Sequence, residues 1–138
     1  MRSALLLLPL IGLAACAQTP ADTARAAQDR QATQARLDKA LAGLTPGQTN
    51  SCIPITYTTA HTETYGSTLL YRIGSGLVYR TETTGGCEGA AHGDVLVTKQ
   101  LQGRPCRGDI VTTVDPLSRN LTGSCRLGDF TEYRRARR

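Results

Sequence analysis

Beyond Ser51 the chain is written in short runs of Val, Ile, Thr and Tyr broken by Gly and Pro, with four cysteines set among them. Such runs are too short for helices and too rich in β-branched residues to favour them, so they read as strands. The expected strands are 52–58, 67–73, 77–83, 94–101, 109–115 and 126–132. Their spacing suggests a small antiparallel barrel or sandwich, mainly β, over residues 51–133. The clearest unit is a hairpin around Gly74-Ser75-Gly76. If that turn sets the register, 73 faces 77, 71 faces 79 and 69 faces 81. Leu69, Tyr71, Ile73, Leu77 and Tyr79 then share one face, with Arg72, Arg80 and Glu82 on the other. Tyr71 and Tyr79 become a directly opposed cross-strand pair, whose expected role is core packing.

Residues 18–50 have a different composition, rich in Ala, Gln, Asp and Arg. Pro20 and Asp22 are start signals and Gly43 with Pro46-Gly47 are stop signals, so an N-terminal α-helix is expected over about 22–42. Leu37, Leu41 and Leu44 form its apolar stripe, and upstream that stripe is only Ala. The C-terminal part of the helix is therefore expected to pack on the β domain, with the rest a solvated spacer.

The chain opens Met1-Arg2, then an apolar stretch from Ala4 to Leu13, then small residues leading into Cys16. This is the layout of an export signal, and the apolar stretch is too short to span a bilayer. Leu13-Ala14-Ala15-Cys16 resembles the lipobox of bacterial lipoproteins. That resemblance implies a signal peptide over 1–15, cleavage before Cys16, a diacylglyceryl thioether on the Cys16 sulfur and an acylated amino group, palmitate among the expected chains. Ala17 follows the cysteine where an Asp would favour the inner membrane, so the resemblance points to the cell envelope, at the outer membrane facing the periplasm. Residues 16–50 are then lipid anchor and helical spacer.

Assigning Cys16 to lipid leaves Cys52, Cys87, Cys106 and Cys125, an even set in a small exported domain, and two structural disulfide bonds are expected. Of three connectivities, Cys52–Cys125 with Cys87–Cys106 is the expected one: the first would tie the opening strand to the closing strand, the second would join two loops flanking 94–101. No two of these cysteines form C-x-x-C, so neither a redox pair nor a zinc ribbon is indicated.

Other motifs have plainer readings. His92 lies near Glu88 and Asp94, and a minor hydrolase site can be drawn from them, but Gly85, Gly86, Gly89 and Gly93 read as a flexible, solvated loop. His61 stands alone. Arg107-Gly108-Asp109 reads as a turn entering a strand, and Asn120-Leu121-Thr122 matches a glycosylation pattern that a bacterial protein does not use. Neither G-x-S-x-G nor a phosphate-binding Gly-rich loop occurs. The reading is therefore not an enzyme, with no catalytic residue, cofactor or metal. Charge sharpens the partner class. Residues 51–133 carry seven basic and eight acidic side chains, while Arg134, Arg135, Arg137 and Arg138 concentrate +4 in a basic tail, 134–138. A nucleic-acid surface would spread charge over a face, so no nucleic acid is expected; the tail suits an anionic envelope component or an acidic envelope protein.

Ser51-Cys52-Ile53, the Leu70-Tyr71 to Val78-Tyr79 hairpin, Gly86-Cys87, Cys106-Arg107-Gly108-Asp109-Ile110 and Ser124-Cys125-Arg126-Leu127-Gly128-Asp129-Phe130 together resemble a family of small exported alphaproteobacterial proteins with no established activity. The resemblance implies a disulfide-bearing β domain and supplies no catalytic residue. The expected function is thus a lipid-anchored periplasmic binding or envelope-structural module, with a periplasmic hydrolase inhibitor as the alternative.

Overall fold

The computed structural model describes residues 19–54 and 60–136. Helix α1 spans Pro20–Leu41. It starts where the sequence signals say: the Thr19 hydroxyl accepts from the Asp22 amide at 3.2 Å, the Asp22 carboxylate accepts from the Thr19 amide at 3.3 Å, and Pro20 occupies the first turn. It ends at Ala42, and Gly43 takes the left-handed φ of +76° that turns the chain away.

Seven strands follow: β1 Leu44–Asn50, β2 His61–Tyr65, β3 Thr68–Ile73, β4 Leu77–Gly85, β5 Val95–Lys99, β6 Ile110–Val114 and β7 Leu121–Arg135, with a short 3-10 helix, Glu88–His92, between β4 and β5. All pairings are antiparallel and form one sheet in the order β2-β3-β4-β7-β6-β5, with β1 also on β7. The expected barrel or sandwich takes the form of a curled half-barrel. Its organiser is β7, whose fifteen residues pair with β4 along one side and with β6 and then β1 along the other.

The hairpin register is as expected: Ile73 faces Leu77, Tyr71 faces Tyr79 and Leu69 faces Thr81. The concave face carries the main core, Leu69, Tyr71, Tyr79, Val111, Leu127 and Phe130 with Ile53 and two cysteines. Tyr71 meets the Phe130 ring edge-on at 5.8 Å. The opposite face of β3 and β4 is also buried. Leu70 and Val78 pack there against Leu37 of α1, flanked by Ala40, Leu41, Leu44, Tyr65 and Tyr133. The helix therefore docks through its C-terminal part, as its apolar stripe indicates.

Several expectations need correction. The strand expected at 52–58 is reduced, among described residues, to a single bridge from Cys52 to Cys106, and 55–59 lie outside them. β1 stands where a spacer is expected, because Pro46 and Gly47 look like a turn; Pro46 is tolerated since β1 is an edge strand with a register shift between Pro46 and Thr49. The sheet thus takes in residues 44–50, assigned to the spacer, and Arg134 and Arg135, assigned to the tail. Those arginines are the last residues of β7, opposite Thr45 and Leu44. Arg137 and Arg138 lie outside the described residues, as do Cys16 and the leader.

The two disulfides form, but with the other partners: Cys52–Cys106 and Cys87–Cys125. The reason is the sheet order. Cys125 lies mid-sheet in β7, opposite Gly85 at the end of β4, so Cys87, two residues further on, is carried to it with a Cα separation of 5.5 Å. Ser51–Ile53 instead runs antiparallel to Pro105–Arg107, with the Ile53 amide donating to the Pro105 carbonyl and the Arg107 amide to the Ser51 carbonyl.

Candidate binding cleft

α1 packs on the sheet through Leu37 and its last turn, and its middle turns stand beside the 3-10 helix and over the β2–β3 turn, where Thr33 approaches Gly66. A cleft of about 700 Å³ remains between these elements. Along the helix it is lined by Asp29, Arg30, Thr33 and Arg36; across from them stand Tyr65, Ser67, Thr68, Arg80 and Glu82. Glu88, Ala91 and His92 supply its third wall. The size falls within the range of small-molecule sites.

Its walls are braced by charge-assisted bonds. Arg80 donates through Nε and Nη2 to Glu82 Oε1 at 2.9 and 2.7 Å, and the Thr68 hydroxyl donates to the same carboxylate at 2.8 Å. Arg36 lies over the Tyr65 ring, 5.7 Å from its centroid. The Tyr65 hydroxyl donates to Glu63 at 3.1 Å. Burial, and then this bond, raise the Tyr65 phenol above its ordinary 10, so it stays protonated at neutral pH. Glu63 in turn takes a two-pronged bond from Arg72, the main reason its carboxyl lies below the ordinary 4.5. Arg72 also donates to the carbonyl of Ala40 at 3.4 Å, so one guanidinium links β2, β3 and the last turn of α1. Tyr65 is therefore a fixed wall.

The structure brings two of the three residues of the alternative hydrolase reading together on the cleft wall: Glu88 and His92 sit on one short 3-10 helix. Asp94 is directed elsewhere, accepting a hydrogen bond from the Thr122 hydroxyl at 2.5 Å. Within the glycine-rich segment this 3-10 helix, with Glu88 and His92 exposed, is joined to β2, where the Thr64 hydroxyl donates to the Ala90 carbonyl at 3.1 Å. Among the described residues no three His, Cys, Asp or Glu side chains gather as a metal site. His61 pairs opposite Arg72 at the β2 edge. Asp109 is buried and accepts from the Cys106 amide at 2.9 Å, so the Arg107-Gly108-Asp109 turn enters β6 with its carboxylate turned inward. Arg134 pairs with Glu132 on its own strand.

Sequence reading passed over Asp29, Arg30, Arg36, Tyr65, Arg80 and Glu82 as site residues. Nothing in their spacing links them, since three separate elements, α1, β2 and β4, carry them. Comparison with protein-family models, with curated proteins and with solved structures gave no match to this chain.

Proposed function

We propose that this chain is a lipid-anchored binding module of the cell envelope, facing the periplasm, whose ligand site is the cleft between α1 and the sheet. The anchor and location are supported by the lipobox-like Leu13-Ala14-Ala15-Cys16, and an oxidising compartment by the two disulfides. The cleft itself carries the binding reading. It presents three guanidinium groups, Arg30, Arg36 and Arg80, and three carboxylates, Asp29, Glu82 and Glu88, around one apolar ring and several hydroxyls. Opposed charges in one cleft favour a ligand that is itself dipolar, such as a short peptide with both termini charged, over a purely apolar or purely anionic one. Titrating the isotopically labelled protein with trialanine should shift the amide resonances of Thr33, Gly66 and His92 and leave those of Ser75 and Thr112 unmoved. Thr33→Trp, which fills the cleft, should abolish the shifts. Shifts spread evenly over the sheet, or unaffected by Thr33→Trp, would remove the cleft as the site.

A further inference from the structure

The face of the sheet that α1 covers over β3 and β4 continues, uncovered, onto β7, β6 and β5. Register fixes what stands there. Lys99 faces Ile110, which faces Arg126; Val97 faces Thr112, which faces Ser124; Val95 faces Val114, which faces Leu121. These three rows make a patch about 13 Å by 10 Å, from strand rise and spacing. Its aliphatic members are open to solvent: Val95 and Val97 are each 51% exposed, Ile110 39% and Leu121 66%. At the two ends of the β5–β6 hairpin Leu101 and Leu117 stand 84% and 92% exposed. The other face of the same strands is the main core, with Val111 and Thr113 fully buried, so the exposed aliphatics are not a register error.

The charge on this patch is of one sign. Lys99 and Arg126 occupy its first row, Arg104 and Arg119 lie in the flanking turns next to Leu101 and Leu117, and none of the three rows contains a carboxylate. None of these four cations has an ion pair among the described residues. The acids adjacent to these strands are engaged elsewhere: Asp94 accepts from the Thr122 hydroxyl, Asp115 accepts from the Leu117 and Ser118 amides in its own turn, and Asp109 is buried. Projecting Leu and Val side chains interleaved with unpaired cations match a bilayer surface, where aliphatic groups enter the headgroup boundary and basic groups meet lipid phosphates.

We propose that the bare β5–β6–β7 face is a membrane-docking surface for anionic phospholipid, separate from the cleft and from any lipid on Cys16. In the full chain with Cys16→Ser, an environment-sensitive fluorophore on Leu117→Cys or Leu121→Cys reads contact locally, whatever holds the chain at the vesicle. Vesicles of 70% phosphatidylcholine and 30% phosphatidylglycerol should raise and blue-shift the signal at both positions, and leave a label on Thr49→Cys unchanged. Removing a surface cation costs about fivefold in vesicle affinity, so Lys99→Glu with Arg126→Glu should move the midpoint at least twenty-five-fold to higher lipid. An equal response on pure phosphatidylcholine, an equal response at Thr49, no response at 117 and 121, or a midpoint untouched by the charge reversals would each overturn the proposal. Binding of soluble dextran sulfate with the same affinity as the vesicles would likewise overturn it, because a polyanion has no apolar layer for Leu117 and Leu121.

Discussion

Replacing Leu37 by Ala should detach α1 and leave the sheet standing. Leu37 is 2% exposed and is the one fully buried residue of the helix. Deleting three carbons loses roughly 2.4 kcal/mol of transfer free energy at about 0.8 per carbon. The cavity left against Leu70 and Val78 brings the cost to about 3–4 kcal/mol. Against this, α1 is held by few other contacts: the half-buried Ala40 and Leu41, Arg36 over the Tyr65 ring, and the Arg72 bond to the Ala40 carbonyl. A helix of 22 residues with little apolar stripe is marginal in water once undocked. The sheet has its own core and a disulfide that does not involve α1. Hydrogen exchange read by mass spectrometry should therefore show amides in 20–41 exchanging about a hundredfold faster in Leu37→Ala, while β4 and β7 change by less than about threefold. If α1 kept its protection, or if β4 and β7 accelerated with it, the view of a separately docked helix shaping the cleft would be refuted.

Non-reducing peptide mapping should recover Cys52 linked to Cys106 and Cys87 linked to Cys125; replacing both Cys87 and Cys125 by Ala should lower stability to urea by about 4 kcal/mol, the loop-closure value for a separation of 38 residues. Gly123→Ala should fail to fold or lose more than about 2 kcal/mol, because a Cβ there would run into the Gly86 carbonyl oxygen, whereas Gly76→Ala, with open space around it, should be neutral by the same urea assay. Glu63 and Glu132 have carboxyls held below 4.5, first by bonds from Arg72 and Arg134; their stabilisation is present above that value and lost as pH falls through the lower folded-state pKa, so acid unfolding of Glu63→Gln should be less steep below pH 4.5. Burial pushes the Tyr71 phenol up to about 12, so its contribution is complete below 10 and lost as pH rises through 12; tyrosinate absorbance should show a ring titrating near 12 that is absent in Tyr71→Phe.

What the sequence makes legible is local. The β3–β4 hairpin follows from alternation around Gly74-Ser75-Gly76, and its register is the one the turn dictates. The helix follows from Thr19, Pro20 and Asp22. Features set by topology are not legible in the same way. β1 hides behind Pro46, and the first part of β7 hides behind Gly123, a residue required by the close approach of Gly86 rather than by a turn. The disulfide partners depend on β7 lying between β4 and β6, which no spacing of cysteines encodes. Leu70 and Val78 alternate out of the hairpin's main apolar face, and only the docked helix explains them. His92 and Glu88 carry a visible chemical signal, yet Arg30 and Arg36, which line the same cleft, come from a helix distant in sequence.

The proposed ligand site is the cleft under α1. A photoreactive residue placed at Ala91 on the cleft wall, and in parallel at the exposed Ser75 turn, tests it in intact cells without naming the ligand beforehand. Intact-mass analysis should show a discrete adduct at Ala91 that disappears when Thr33→Trp fills the cleft, and none at Ser75. Equal adducts at both positions, or none at Ala91, would contradict that assignment.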